Sequence, residues 1–127
     1  MYKIGLDIHG VIDNSPEFFA KLTQAAKKLR YVEVHIITGG WFHKEQDKLK
    51  NWGIEYDEFF SIHDYLHAIN EPKIEDNNGI IRYDEHVWDT TKGFYCNSND
   101  IDLMIDDTEE YGLHMPIFTS FIHYQGK

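Results

Sequence analysis

Lys3-Ile4-Gly5-Leu6-Asp7-Ile8-His9-Gly10-Val11-Ile12 is a short apolar run that closes on a carboxylate and passes at once into a glycine turn. A strand of this make-up lifts Asp7 to the carboxyl edge of a sheet, where open α/β folds bind their ligands. Near the other end of the chain, Asp102-Leu103-Met104-Ile105-Asp106-Asp107 repeats the pattern, again an apolar run ending on acids. Two strands that bring carboxylates to one edge are what a Mg²⁺-assisted phosphoryl-transfer site requires.

Between these two runs the pattern alternates strand and helix. Residues 2–8 read as the first strand. Asn14 or Ser15 caps a helix over 15–30, with Pro16 and Glu17 in its first turn and an apolar stripe of Phe18, Phe19, Leu22, Ala25, Ala26 and Leu29. Tyr31 to Ile37 is apolar and β-branched, a buried strand ending at Thr38-Gly39-Gly40. A helix over about 42–51 closes at Gly53. A strand within 56–62 and a short helix over 63–69 come next. Asn77-Asn78-Gly79 is a hairpin turn leading into Ile80-Ile81-Arg82-Tyr83, so 71–90 reads as a small β insert. A short helix over 91–96, a strand over 101–106, a helical turn near 108–112 and a strand around 116–121 complete the chain. Apolar strands alternating with helices predict a three-layer, Rossmann-like α/β fold, with about five parallel strands covered by helices on both faces.

The chain has 127 residues, of which 42% are hydrophobic and 15% aromatic. That suits one domain over 1–127 with a real core, and it argues against disorder. No apolar run is long enough to span a bilayer and no leader pattern opens the chain, so no membrane association is expected. One cysteine, Cys96, excludes an internal disulfide framework and fits a reducing, cytoplasmic setting. With 12 Lys and Arg against 22 Asp and Glu, the net charge is −10. An acidic domain repels the phosphate backbone, so bulk nucleic-acid binding is not expected. A small phosphorylated substrate is still admissible, because a bound Mg²⁺ and one lysine reverse the field locally. The eight histidines are scattered. Only His63 and His67 have helix-face spacing, and a structural metal site there is disfavoured.

Asp7, Thr38, Lys92 and the pair Asp106-Asp107 follow one another in an order that resembles the haloacid dehalogenase superfamily, most of whose members are Mg²⁺-dependent phosphatases. The resemblance covers the whole chain as a minimal core. It implies that Asp7 is the nucleophile and that Thr38, with the Gly39 N–H, holds a phosphoryl oxygen. It implies that Lys92 steadies the nucleophile and the transferring group, with Lys44 and Lys48 too close behind the second strand to serve. Asp107 would reach Mg²⁺ and Asp106 would hold Lys92, although the two can exchange roles. An Asp7 oxygen and the His9 backbone carbonyl would complete the protein ligands of the ion.

The first motif departs from the family at its third position, where His9 replaces an acid. Histidine can act as acid or base near neutrality, with an ordinary pKa of about 6.5. Two readings follow: a phosphatase in which His9 does the acid–base work, or a slow or inactive member that keeps the pocket for binding a phosphate ligand. Dehalogenation fits poorly, since that chemistry needs no metal and the acid pair is kept. One helix separates Asp7 from Thr38, so no cap domain is inserted there. The open site either takes a bulky substrate or borrows a lid from a second subunit of a homo-oligomer. Trp41, Phe42 and His43, just after the glycine turn, are placed to meet the leaving group or to pack the start of the helix.

Overall fold

In the computed structural model, residues 1–126 are described. The element order is β1 (Tyr2–Leu6), α1 (Pro16–Lys28), β2 (Val32–Thr38), α2 (Phe42–Trp52), β3 (Glu58–Ser61), α3 (Ile62–Ala68), β4 (Lys73–Glu75), β5 (Ile81–Tyr83), α4 (Glu85–Ser98), β6 (Leu103–Asp106), α5 (Glu109–Gly112) and β7 (Ser120–His123). The main sheet has the order β3-β2-β1-β6-β7, and all its pairings are parallel. β4 and β5 form a separate antiparallel hairpin. The expected α/β architecture and the β insert are both present.

Alternation along the strands sorts the core into two layers. Ile4, Leu6, Val34 and Ile36 face α1 and α2, where they meet Phe19, Ala20, Ala26 and Leu49. Ile37 and Met104 face the other way, onto Cys96 of α4 and Ile101. Ile62 and Leu66 of α3 pack with Tyr83 and Trp88 beside this second layer. The lone thiol of Cys96 is buried, and burial pushes its pKa up to about 12, so it is a packing group rather than a nucleophile. No helix among the described residues is long and apolar enough to cross a membrane.

Three details differ from the sequence reading. On α1 the buried positions are Phe19, Ala20, Thr23 and Ala26, while Phe18 and Leu29 lie exposed. A stripe at i, i+1, i+4 and i+7 keeps one face toward the sheet, and Thr23 earns a place on it because its hydroxyl bonds the Ala20 carbonyl and accepts from the Glu55 N–H. The helix expected over 91–96 instead runs from Glu85 to Ser98, started by the Asp84 carboxylate accepting from the Val87 N–H. The insert therefore ends at Asp84 rather than at residue 90. The last strand begins at Ser120, not near Pro116, and its register sets Asp106 opposite His123. Pro116 lacks the N–H that a paired strand position donates.

Asp57, in the loop before β3, ties two elements to the sheet. Its carboxylate accepts from the Val34 N–H at 2.8 Å and pairs with Lys27 of α1. Burial pushes its pKa up, but the Lys27 hydrogen bond, the Val34 hydrogen bond and the Lys27 charge outweigh that and leave it below the ordinary carboxylate value. A depressed folded-state pKa gives stability that is present above the unfolded value and lost as pH falls through the folded one. Asp57→Asn should therefore lower Tm at neutral pH, with the difference closing as pH falls below the ordinary carboxylate range. Thermal melts across that range check this. An unchanged gap at acid pH would assign the effect to packing instead.

Candidate active site at the carboxyl edge of the sheet

The strand order reverses at β1, whose neighbours are β2 on one side and β6 on the other. In open parallel sheets the crevice beyond the strand ends at such a switch point is the ligand site. Asp7 follows β1, Asp106 ends β6 and Thr38 ends β2, so three of the expected residues arrive there by topology alone. A cleft of about 230 Å³ is lined by Asp7, His9, Gly39, Lys92, Asp107, Thr108 and Tyr111.

Asp7 leaves β1 in extended conformation, and its Oδ1 accepts from the Ile8 N–H at 2.8 Å. The chain then makes a wide turn closed by the Asp13 N–H on the Ile8 carbonyl. Within it His9 has φ −73° and ψ 123°, and Gly10 has φ 83° and ψ −7°, the pair of conformations of a type II turn, which wants glycine second. Gly10 is needed for space as well. A Cβ there would lie 2.0 Å from Asp107 Oδ2, so the bare backbone lets the Asp107 carboxylate rest on the turn that carries Asp7. The early and late acid motifs are thus in contact.

Lys92 sits in the middle of α4, not at a helix start, and only 1% of it is exposed. Its Nζ is 2.6 Å from Asp106 Oδ2, 3.3 Å from Asp7 Oδ1 and 4.4 Å from the centre of the Tyr111 ring. Burial alone would depress the lysine pKa, but the charges of Asp7 and Asp106 raise it overall, so the ammonium is retained. Asp106 is fully buried. Burial pushes its pKa up and Asp7 adds to that, against the pull of Lys92. Its Oδ1 accepts from the Thr108 N–H, so both oxygens have protein partners. Asp107 is exposed, with Oδ1 accepting from the Thr108 hydroxyl.

Asp7, Asp106 and Asp107 each offer a carboxylate oxygen, and these lie within 4.8 Å of one another. Three acids against one lysine leave two negative charges in a small volume, a set that suits a divalent cation with hard oxygen ligands. Since Asp106 is committed to Lys92 and the Thr108 N–H, Asp7 and Asp107 are the acids free to hold such an ion.

Thr38 is fully buried, and its Oγ1 has no hydrogen-bond partner among the described residues. A buried hydroxyl left unpaired at the end of β2, the strand beside β1, is fitted to take a ligand oxygen, although Thr38 is not among the residues that line the cleft. Neither Gly39 nor Gly40 has positive φ. Both face close neighbours. A Cβ on Gly39 would lie 2.9 Å from Trp88 Cζ2, and one on Gly40 would lie 2.8 Å from Glu45 Oε1.

His9 lines the cleft with its side chain about half exposed. Nε2 is 3.1 Å from Glu45 Oε1, and Nδ1 is 3.5 Å from Asp13 Oδ2. Glu45 of α2 is 4% exposed. Its role was not legible, because an acid in the first turn of a helix reads as a dipole partner. Tyr111 and Trp88 were also missed; the Trp88 Nε1–H donates to Tyr111 Oη at 2.8 Å, which steadies the ring over Lys92.

Several other residues considered for the site lie away from the cleft. Lys48 pairs with Glu45 Oε2 at 3.4 Å, and neither it nor Lys44 lines the site. Phe42 packs edge-on against Phe59, pointing toward β3. His63 and His67 both pack on Trp41, the first stacked at 4.7 Å and the second edge-on at 6.0 Å. Comparison of the chain with protein-family models and with curated protein sequences finds no match.

Proposed function

We propose that this protein is a Mg²⁺-dependent phosphomonoester hydrolase of the haloacid dehalogenase type, working through an aspartyl-phosphate on Asp7. The observation that carries this reading is the Asp7–Lys92–Asp106 chain, with Asp107 resting on the turn that follows Asp7. Asp7 and Asp107 would hold the Mg²⁺, joined by the His9 carbonyl. When bound, the ion offsets negative charge on the phosphoryl oxygens.

The chain's own groups supply the rest. Asp7 Oδ1 accepts from the Ile8 N–H and faces Lys92; one oxygen of this carboxylate would attack phosphorus while the other would reach the ion. A phosphorus–oxygen bond to Asp7 forms, the bond to the leaving oxygen breaks, and water then cleaves the acyl phosphate. The Thr38 hydroxyl and the Gly39 N–H donate to phosphoryl oxygens, and Lys92 offsets the charge that develops nearby. His9 is the group at the cleft that can protonate the leaving oxygen and later take a proton from water. Glu45 and Asp13 fix the direction of its ring.

The same two contacts favour a second reading. Both imidazole nitrogens face carboxylates other than the catalytic one, as suits a protein that binds a phosphate ligand and turns it over slowly or not at all. Phosphate release from p-nitrophenyl phosphate and from a panel of natural monoesters, with Mg²⁺ and with EDTA, tests the first reading. Metal-dependent release is the expected result. A rise in Tm with Mg²⁺ plus inorganic phosphate, without release from any ester, would select the binding role.

A further inference from the structure

A second cleft, of about 450 Å³, adjoins the acid cleft and is lined by His63, Ile81, Arg82, Tyr83, Glu85 and Trp88. Its size is that of a small-molecule site. The two spaces share a wall. Trp88 lies against Gly39 and donates to Tyr111, and the His63 N–H reaches the Gly39 carbonyl at 3.4 Å. Gly39 and Tyr111 both line the acid cleft.

The larger cleft is aromatic on its inner side. His63 meets Trp88 edge-to-face at 4.7 Å, and the Tyr83 and Trp88 rings are within 16° of parallel. Two polar atoms in this wall are buried without partners among the described residues, Tyr83 Oη and His63 Nδ1. Tyr83 is 7% exposed, so its hydroxyl gives up water with nothing in return. Native structures rarely leave such groups unsatisfied, and a hydrogen-bonding ligand is one explanation. Burial lowers the His63 pKa, which keeps the ring neutral, with one nitrogen to donate and one to accept.

We infer that this cleft receives the base of a nucleoside monophosphate whose phosphate lies at Asp7, the sugar crossing the Gly39–Trp88 ridge. The inference rests on the phosphatase reading for the phosphate end and names the substrate class of that site. A base has a flat face for Trp88 and Tyr83 and a polar edge for the two unpartnered atoms. A sugar phosphate lacks the flat face. An aryl phosphate, such as a phosphotyrosine side chain, keeps its ring directly on the ester oxygen, beside Asp7, and has no polar edge to offer. The net charge of −10 favours a free nucleotide over a nucleic-acid strand end.

The test compares kcat/KM for adenosine 5′-monophosphate, ribose 5-phosphate and a 5′-phosphorylated dinucleotide with Mg²⁺, in the natural chain and in Tyr83→Phe. Adenosine without phosphate is titrated separately, with the Trp88 indole N–H followed by NMR. The monophosphate should exceed ribose 5-phosphate by about tenfold or more, in line with stacking of one base on aromatic side chains. Tyr83→Phe should shrink that ratio while leaving ribose 5-phosphate turnover unchanged, and adenosine should shift the Trp88 signal. Equal rates for the two esters and a silent Trp88 signal would overturn this inference and leave the phosphatase standing. A Trp88 shift without release from any ester would overturn the phosphatase and keep the cleft as a nucleoside site. A dinucleotide faster than the monophosphate would overturn the free nucleotide as the source of the base.

Discussion

Asp7→Asn should abolish phosphate release, lowering kcat by about 10⁴-fold or more, the scale seen when a covalent nucleophile is removed. The fold should survive this change. The amide oxygen still accepts from the Ile8 N–H, and Lys92 keeps its 2.6 Å bond to Asp106. In EDTA the variant should stay folded, because the loss of the Asp7 charge beside Lys92 is offset by weaker repulsion among the clustered acids. The rise in Tm on adding Mg²⁺ should shrink, because one of the two acids free for the ion has been lost. Steady-state phosphate release and paired melts with EDTA and Mg²⁺ check both halves. Undiminished turnover in Asp7→Asn would remove the aspartyl-phosphate from consideration. A collapse of Tm in EDTA would make Asp7 a structural residue instead.

The parts of this site that lie on strand ends were legible from the chain; of the parts that lie on helices only Lys92 was, through the resemblance rather than through any local pattern. Asp7, Thr38 and Asp106 each close an apolar run, so the periodicity that marks the strand also marks the residue it delivers. The strand order that brings them together follows from parallel strands with short crossovers, and the switch point between β1 and β6 then sets the place of the cleft. Lys92 had the opposite effect. Thr91, Lys92 and Gly93 occupy the buried stretch of α4, where aliphatic residues would normally mark a helix face, so the site residue hid most of the helix that carries it. Only the capping Asp84 signals the true start. Glu45, Trp88 and Tyr111 meet the site through tertiary contacts between elements far apart in the chain, which no local pattern encodes. His9 was legible as a departure, while its neighbours Glu45 and Asp13 became evident only in three dimensions.

Lys92→Met should destabilise the protein by about 3–5 kcal/mol, the range for removing one partner of a buried ion pair. Such a loss lowers Tm by roughly 10–20 °C in a domain of this size. Methionine fills nearly the same volume, so the loss is one of charge. Asp106, with no exposed surface, is left beside Asp7 without a counter-ion. Its carboxyl pKa is already raised, by burial first and then by Asp7, and only Lys92 and the Thr108 N–H oppose this strongly. Without the lysine it rises further. A raised folded-state carboxyl pKa gives stability that is complete below the unfolded value and lost as pH climbs through the folded one. The variant should therefore recover as pH falls from 8 toward about 5, above the ordinary carboxylate range, where the unfolded Asp106 stays charged. The double variant Lys92→Met/Asp106→Asn removes both charges, and it should regain most of the lost Tm without regaining phosphate release, since the ammonium facing Asp7 is still missing. Melts of the single and double variants at pH 5 and 8 separate the contributions. A single variant as stable as the natural protein at pH 8 would mean that the acids are solvated in solution, and a double variant no better than the single would assign the loss to packing around α4.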